Sequence, residues 1–594
     1  AGYTVQSHGS SDAKSPMGPP PKSRVDARVV WKGGVGVSAA LPVMPSQQYW
    51  RTRCEVLRCL LACLSGPLFQ GTEEYQARPP MWLLHFTSGE VVHWASLFCS
   101  LMSTVFTYDP VGWGVPYAGY FRGGTEQDLV DVSLQVLCIV IDFDPFGHTV
   151  AHSETVVVVK EQAPDEKAVV GNAFRHMLQN IQKDEEIDLI FNGIVKMLAM
   201  VYKANHTYLP GSVRPVGFYQ EALVLLWHLL TLNQTFTSRV VEHLDTNQII
   251  LHVLYLLHQA QNSPQLVGLL HTASFVLLVL SSERSFSVRL NEPYSGNMPL
   301  TIPVFQGCHA DVVTLALYKV ISDGLQRPQN DALVEMLLTV LCNISPYVKS
   351  FALESCLKLL SLIERCSRPA YLFRSAYTHH GLVFLLEMLT NVIQYQYEGN
   401  TMLVYSALRQ KEVFFQLSEL QLKGAARSHA EGGEGVGAAP VRQAQASVAD
   451  TDGGAEADLD AEEPAPEEAD GEAWTPTKAW LGYVKNKMPL QTILCMVDYL
   501  SARVEDICTK FDVVDQDEVI KYLKQTTMVG ILPVPHPIVI RTYQASSYTA
   551  MWFTSYMWGV IFTRSQQMPL YDWRKIRLVV INQNQDDTPH RDET

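Results

Sequence analysis

Between residues 313 and 389 apolar side chains return at intervals of three and four. Val313, Ala316, Leu317 and Val320 stand at i, i+3, i+4 and i+7. So do Val334, Leu337, Leu338 and Leu341, then Leu353, Cys356, Leu357 and Leu360, then Leu382, Leu385, Leu386 and Leu389. This spacing places one apolar stripe on each of four helices. Asn330-Asp331 stands where it can cap the second helix, and Pro346 where it ends it. The helical period dominates from about Gln48 to Leu422, and helix pairs recur roughly every 40 residues, the length of HEAT and armadillo-type units. No repeat consensus accompanies the spacing. The expected fold is all-α, an irregular α-solenoid of HEAT/armadillo-like helix pairs, with an irregular all-α bundle as the alternative. The strand-like patterns TVVVV (155–159), NMPLTIPVF (297–305) and IRLVVI (576–581) predict a few short β-hairpin insertions.

Changes of texture divide the chain into four parts. Residues 1–45 are rich in Gly, Pro and Ser and predict a flexible or irregular N-terminal segment; 46–422 form the helical-repeat body. Residues 423–473 carry 13 Asp and Glu against Lys423, Arg427 and Arg442, with few aliphatic side chains, and predict a disordered acidic linker. Residues 474–594 form a C-terminal helical region expected to pack on the body. Within it, Met551–Phe562 crowds Met551, Trp552, Phe553, Tyr556, Met557, Trp558, Val560, Ile561 and Phe562 into a stretch without charge. An interfacial helix normally bears Lys or Arg along its polar face, so this stretch reads as buried. The apolar run Leu266–Leu280 is 15 residues, interrupted by His271, Thr272 and Ser274, and falls short of the roughly 20 residues of a membrane span. It too reads as a buried helix.

Composition narrows the function classes. The chain has 594 residues, 47% hydrophobic and 18% charged, which fits a mostly folded chain. Its net charge of −15 comes largely from the acidic segment, and an acidic body without a basic stripe argues against nucleic acid. The 11 cysteines are odd in number, form no C-x-x-C pair and mostly lie in apolar helical runs, as expected in a reducing compartment. Asn205, Asn233 and Asn343 begin glycosylation sequons, which arise by chance in chains of this length.

The templates for catalysis find little purchase. Gly33-Gly-Val-Gly36 lacks the Lys-Ser/Thr of a phosphate loop. His379-His380 could offer metal ligands, but adjacent helical residues point about 100° apart, and a helix start on a polar surface is the plainer reading. Cys308-His309 pairs a nucleophile with a base but shows no orienting acid. No enzymatic activity, metal or other cofactor is expected.

What remains are loops suited to binding proteins. Tyr108-Asp-Pro-Val-Gly-Trp-Gly-Val-Pro-Tyr117 offers Tyr108, Trp113 and Tyr117 on a rigid turn or, equally, a flap over the core. In Ser281–Tyr294, Glu283, Arg284 and Arg289 could hold an acidic group or pair with one another. Leu532-Pro-Val-Pro-His-Pro-Ile538, with Pro535 and His536 at its centre, predicts an extended, polyproline-like segment, either a docking strand or a rigid crossing.

The stretches YDPVGWGVPY, LLVLSSERSFSVRLNEPYSGNMPLTIPVFQGCHADVV, NISPYVKS, HHGLVFLLEMLTNVIQYQYEGN and ILPVPHPIVIRTYQASSYTAMWFTSYMWGVIF carry a resemblance. In this order they resemble the high-temperature-induced dauer-formation protein family, a relative of dymeclin, over about residues 100–565. The acidic segment falls where members of that family carry a variable insert. The resemblance implies a cytoplasmic protein held peripherally at Golgi and trans-Golgi membranes, a non-catalytic scaffold or adaptor for secretory cargo sorting and dense-core vesicle maturation. Its partners would be trafficking proteins. Family members begin with a Met-Gly myristoylation signal, whereas Ala1-Gly2-Tyr3 resembles an internal point of the family sequence; a second membrane contact is then expected. Other readings on the same helices are a regulator of a trafficking GTPase, with Glu283 as its exposed finger, a ubiquitin-pathway module, or a transport-receptor-like solenoid.

Overall fold

The structure is a computed structural model and describes residues 47–109, 124–145, 171–206, 216–261, 263–296, 300–422, 448–450, 474–511, 516–565 and 570–578. It is an all-α protein. The helices that organise it are α1 (Gln47–Leu64), α2 (Trp94–Phe106), α3 (Thr125–Asp142), α4 (Asp184–His206), α5 (Tyr219–Leu232), α6 (Thr246–Gln261), α7 (Val267–Ser281) and α8 (His309–Gly324). They continue as α9 (Asp331–Ile344), α10 (Leu353–Ser367), α11 (His379–Tyr395), α12 (Thr401–Arg409), α13 (Leu490–Phe511), α14 (Gln516–Gln525) and α15 (Ser547–Arg564). Among the described residues the only strands are β1 (Val448–Asp450) and β2 (Arg541–Tyr543), paired antiparallel with Ala449 opposite Thr542. Apart from β1, the acidic segment 423–473 lies outside the described residues.

The expected hairpins are corrected only where the described residues reach them. Residues 300–307 are irregular: Pro293 and Cys308 beside them form an isolated bridge, the Gly307 carbonyl accepts from Tyr294 N at 3.0 Å, and Phe305 stacks on Tyr294. Pro303 has no N–H to give a ladder. Residues 576–578 are also irregular, while 155–159 and 579–581 lie outside the described residues.

The chain forms two compact units, 1–239 with 546–594, and 240–545. In the first, α3 is the hub, packed by α1, α2, α5 and α15. Every residue of α3 from Val132 to Ile141 is buried, which requires partners on all sides. α15 supplies one of them, and its lack of charge before Arg564 is explained by burial. Ser546 caps it by accepting from Thr549 N at 3.2 Å, and Phe553, Met557, Trp558 and Ile561 are at most 2% exposed. Phe553 stacks on Trp227 at 3.9 Å between ring centroids. Met551, Trp552, Tyr556 and Phe562 are only half-buried, so the aromatic crowding reflects one buried face and one partly wet one.

In the second unit the contacts run along two rows, α6–α8–α10–α12–α14 and α7–α9–α11–α13, with rungs α6–α7, α8–α9, α10–α11 and α12–α13. The apolar positions expected on α8, α9 and α11 are buried. On α10 the stripe is turned: Leu353 and Leu357 are 38% and 49% exposed, and the core takes Cys356, Leu359, Leu360, Ile363 and Cys366. α10 has neighbours on three sides, α8, α11 and α12, so its buried face is wider than one i, i+4 row. Leu269–Ser281 of α7 is buried except at His271. The segment Pro264–Ser281 is long and apolar enough to cross a membrane by length and composition, and 72% of it is buried. The capping expectation at α9 is also corrected. Asn330 makes no side-chain cap, Asp331 pairs with Arg374, and the capping carboxylate is Asp311 of α8, which accepts from Cys308 N at 3.0 Å.

Candidate functional site

Of the loop residues singled out for binding, some are exposed and some serve the core. Tyr108 is buried, its ring edge-on to Phe218 at 6.1 Å, so it is a core aromatic; Trp113 and Tyr117 lie outside the described residues. Glu283 is half-buried at the start of a short helix, and burial together with Glu242 raises its carboxyl above the usual range. Arg284 is exposed, with its guanidinium 5.9 Å over the Tyr347 ring, and Arg289 donates to the Leu244 carbonyl. These three charges therefore make no common cluster. Pro535 and His536 are exposed, and the His536 carbonyl accepts from the Tyr395 hydroxyl.

The unusual motifs have a shared structural reason. NEPY, HADVV, NISPYVKS and YEGN converge on the crossing 345–352 between α9 and α10. Asn291 donates to the Tyr347 carbonyl and accepts from Lys349 N, at 2.9 and 2.7 Å. Asn400 accepts from Phe351 N at 2.8 Å and donates to the Val348 and Lys349 carbonyls at 3.0 and 3.1 Å. Asp311 accepts from Ala352 N at 2.8 Å. An irregular crossing inside a helical unit must have its amides and carbonyls satisfied, and an Asn carries both donor and acceptor. Asn343, fully buried, locks β2 in the same way, accepting from Arg541 N at 3.0 Å and donating to its carbonyl at 2.8 Å. Asn233 donates to the Leu178 and Ile181 carbonyls. Burial takes both of these sequons out of reach of glycosylation; the Asn205 side chain lies outside the described residues.

The candidate nucleophile and metal ligands are likewise structural. Cys308 is buried, and desolvation with Asp311 beside it pushes its thiol up to about 11, away from the thiolate a nucleophile needs. His309 Nδ1 is occupied by the Glu292 carbonyl at 2.8 Å. His379 is 1% exposed, which corrects the expectation of a polar surface: its ring stands edge-on to Trp480 at 5.7 Å and its Nδ1 is 2.7 Å from the Ala376 carbonyl. His380 faces Glu335 at 3.3 Å. Among the described residues no three His, Cys, Asp or Glu side chains cluster as a metal site, and the ten described cysteines are free thiols.

A dense polar cluster, missed in the sequence, lies in the first unit where α3, α5 and α15 meet. Arg564 Nη1 donates to both oxygens of Glu221 at 3.0 and 3.2 Å and to the Gly217 carbonyl at 2.6 Å, while Nη2 reaches Asp131 at 2.5 Å. Gln135 donates to Asp131 at 3.0 Å and lies 3.5 Å from Glu221. One guanidinium thus serves two carboxylates, and burial raises both above the ordinary range, Asp131 further through its neighbour Glu221. Three turns beyond Asp131 on α3, Asp142 accepts from Thr554 at 2.6 Å and lies 3.8 Å from His228 Nε2. Burial lifts Asp142 to about 6 and depresses His228 to about 3, so the imidazole is neutral. The available signals were isolated charges beside apolar runs: Glu221 before ALVLLWHLL, and Arg564 closing an uncharged helix. This arrangement clamps three helices.

The family model described as "Dymeclin: Dyggve-Melchior-Clausen syndrome protein" matches residues 13–560. Protein HID1 of Mus musculus is 35% identical, and that of Homo sapiens 34%, each over 98% of this chain and 80% of the relative. The Ubp5-interacting protein ftp105 of Schizosaccharomyces pombe is 21% identical over 68% of this chain and 43% of its own length. No solved structure matches. With nearly the whole sequence covered by both comparisons, the chain belongs to the dymeclin family and, within it, is similar to the HID1 proteins.

Proposed function

We propose that this protein is a non-catalytic scaffold at Golgi and trans-Golgi membranes that supports secretory cargo sorting and dense-core vesicle maturation by holding trafficking proteins. The observation that carries the reading is the similarity to HID1 across 98% of the chain, with the family's unusual motifs used as an internal lock rather than as a reaction centre. A protein-binding role is supported by the name of the Schizosaccharomyces pombe relative, which records an interaction with Ubp5. The GTPase-regulator reading called for an exposed finger, whereas Glu283 is half-buried.

Two measurements on the full protein test the proposal. Fluorescently tagged protein should overlap trans-Golgi markers in secretory cells, and its expression should restore cargo retention in cells deprived of their HID1 protein. A uniform cytoplasmic signal with no restoration would overturn it.

A further inference from the structure

Residues 532–537 are constrained one after another by their covalent structure. Pro533, Pro535 and Pro537 each fix φ near −65°, and Leu532, Val534 and His536, each preceding a proline, are driven out of the helical region toward extended or polyproline backbone. In the structure Pro533–Ile540 has no helix or strand, and Val534, Pro535, His536 and Pro537 are all exposed, Val534 to 86%. No residue from Pro533 to Pro537 shares a backbone–backbone hydrogen bond among the described residues.

The segment is nevertheless held in place. The Cys495 thiol donates to the Ile531 carbonyl at 3.2 Å on one side. On the other, Arg541 is fixed through Asn343 and through two 2.9 Å bonds to Glu387. Between them the Tyr395 hydroxyl donates to the His536 carbonyl. These anchors hold the segment and leave Val534, Pro535 and Pro537 exposed, so a partner would not have to supply their ordering entropy.

Its chemistry selects the mode of docking. Strand addition needs one edge carrying both N–H and C=O groups. The edge bearing Pro533, Pro535 and Pro537 has no N–H, and on the other edge the His536 carbonyl is taken by Tyr395. Recognition of a preformed polyproline helix needs no such ladder; with three residues per turn it presents side chains at i and i+3, here the exposed Val534 and Pro537, to an aromatic-lined groove.

We infer that Leu532–Ile538 is a docking site for a protein module with an aromatic-lined polyproline-binding groove. The inference rests on the scaffold reading and gives it a partner class. The test presents the full-length protein to a panel of purified SH3, WW and EVH1 modules and measures binding by biolayer interferometry. At least one module should bind, and Val534→Asp, at a position too exposed to disturb folding, should weaken that binding about tenfold or more, as should Pro535→Ala. Tyr395→Phe should weaken it by a smaller factor, because it frees the backbone without altering the recognised face. Binding by none of the panel, or binding indifferent to Val534→Asp, overturns the inference. Golgi localisation unchanged in Val534→Asp alongside such a result would leave the scaffold proposal standing and remove only the docking site.

Discussion

Arg564, the last residue of α15, sets its guanidinium 3.0 and 3.2 Å from the two oxygens of Glu221, whose side chain has no exposed surface. Most of the cost of burying Glu221 would be uncompensated without it. Arg564→Met should therefore destabilise the protein by about 3–5 kcal/mol, the range for breaking a buried ion pair from one side. Adding Glu221→Gln should recover much of the loss, because the orphaned charge goes with it. Urea denaturation of the three proteins measures both effects, and a neutral Arg564→Met would refute the clamp.

That clamp shows where the sequence stopped being readable. The helical period located α8, α9 and α11 because apolar positions on one face are a local property of the chain. Arg564 and Asp131 are 433 residues apart, and nothing in either neighbourhood signals their meeting. Two of the residues singled out are buried for a related reason. His379 and Tyr108 are chemically ambivalent, each with an apolar ring and a polar atom, so only the tertiary neighbours Trp480 and Phe218 decide that they are core. The 532–538 segment was readable because proline constrains backbone covalently.

The pH dependence of the first unit should report on Asp142. Its pKa is raised from an ordinary 3.8 to about 6, chiefly by burial, with Asp144 raising it and Thr554 and Arg175 lowering it. A raised carboxyl binds its proton more tightly when folded, so its contribution is fully present below pH 4 and is lost as pH rises through 6. His228, depressed to about 3, acts in the opposite sense, costing stability as pH falls below about 6.5. Asp142→Asn isolates the first term and leaves an acceptor for Thr554. Its melting temperature should exceed that of the unmodified protein at pH 7.5, and the gap should close by pH 4. A gap independent of pH would exclude Asp142 as the titrating group.

The two tryptophans of α15 should behave differently. Trp558 is 1% exposed and edge-on to Tyr571 at 6.4 Å, so Trp558→Ala should cost about 3–5 kcal/mol. Trp552 is half-buried, stacking on Tyr556 at 5.2 Å, and Trp552→Ala should cost about 1 kcal/mol. Equal losses in guanidinium denaturation would mean that α15 buries a different face.

Two glycines of the second unit give a paired test of the locked crossing. A Cβ added at Gly399 would stand 1.8 Å from the Lys349 carbonyl oxygen, a backbone atom that Asn400 also holds, so the clash cannot be relieved by a side-chain rotation. Gly399→Ala should therefore destabilise by about 1–3 kcal/mol, the usual cost of overpacking, or more if the crossing cannot yield. Gly482 lies inside the helix Lys478–Lys487 with nothing within 4 Å of the added carbon. There the methyl meets no obstacle, and the restriction it places on the unfolded chain should make Gly482→Ala stabilising by about 0.5–1 kcal/mol. Opposite shifts in melting temperature are expected for the same chemical change. If Gly399→Ala were also stabilising, the backbone at 349 and 399 could not approach as closely as the asparagine bonds require.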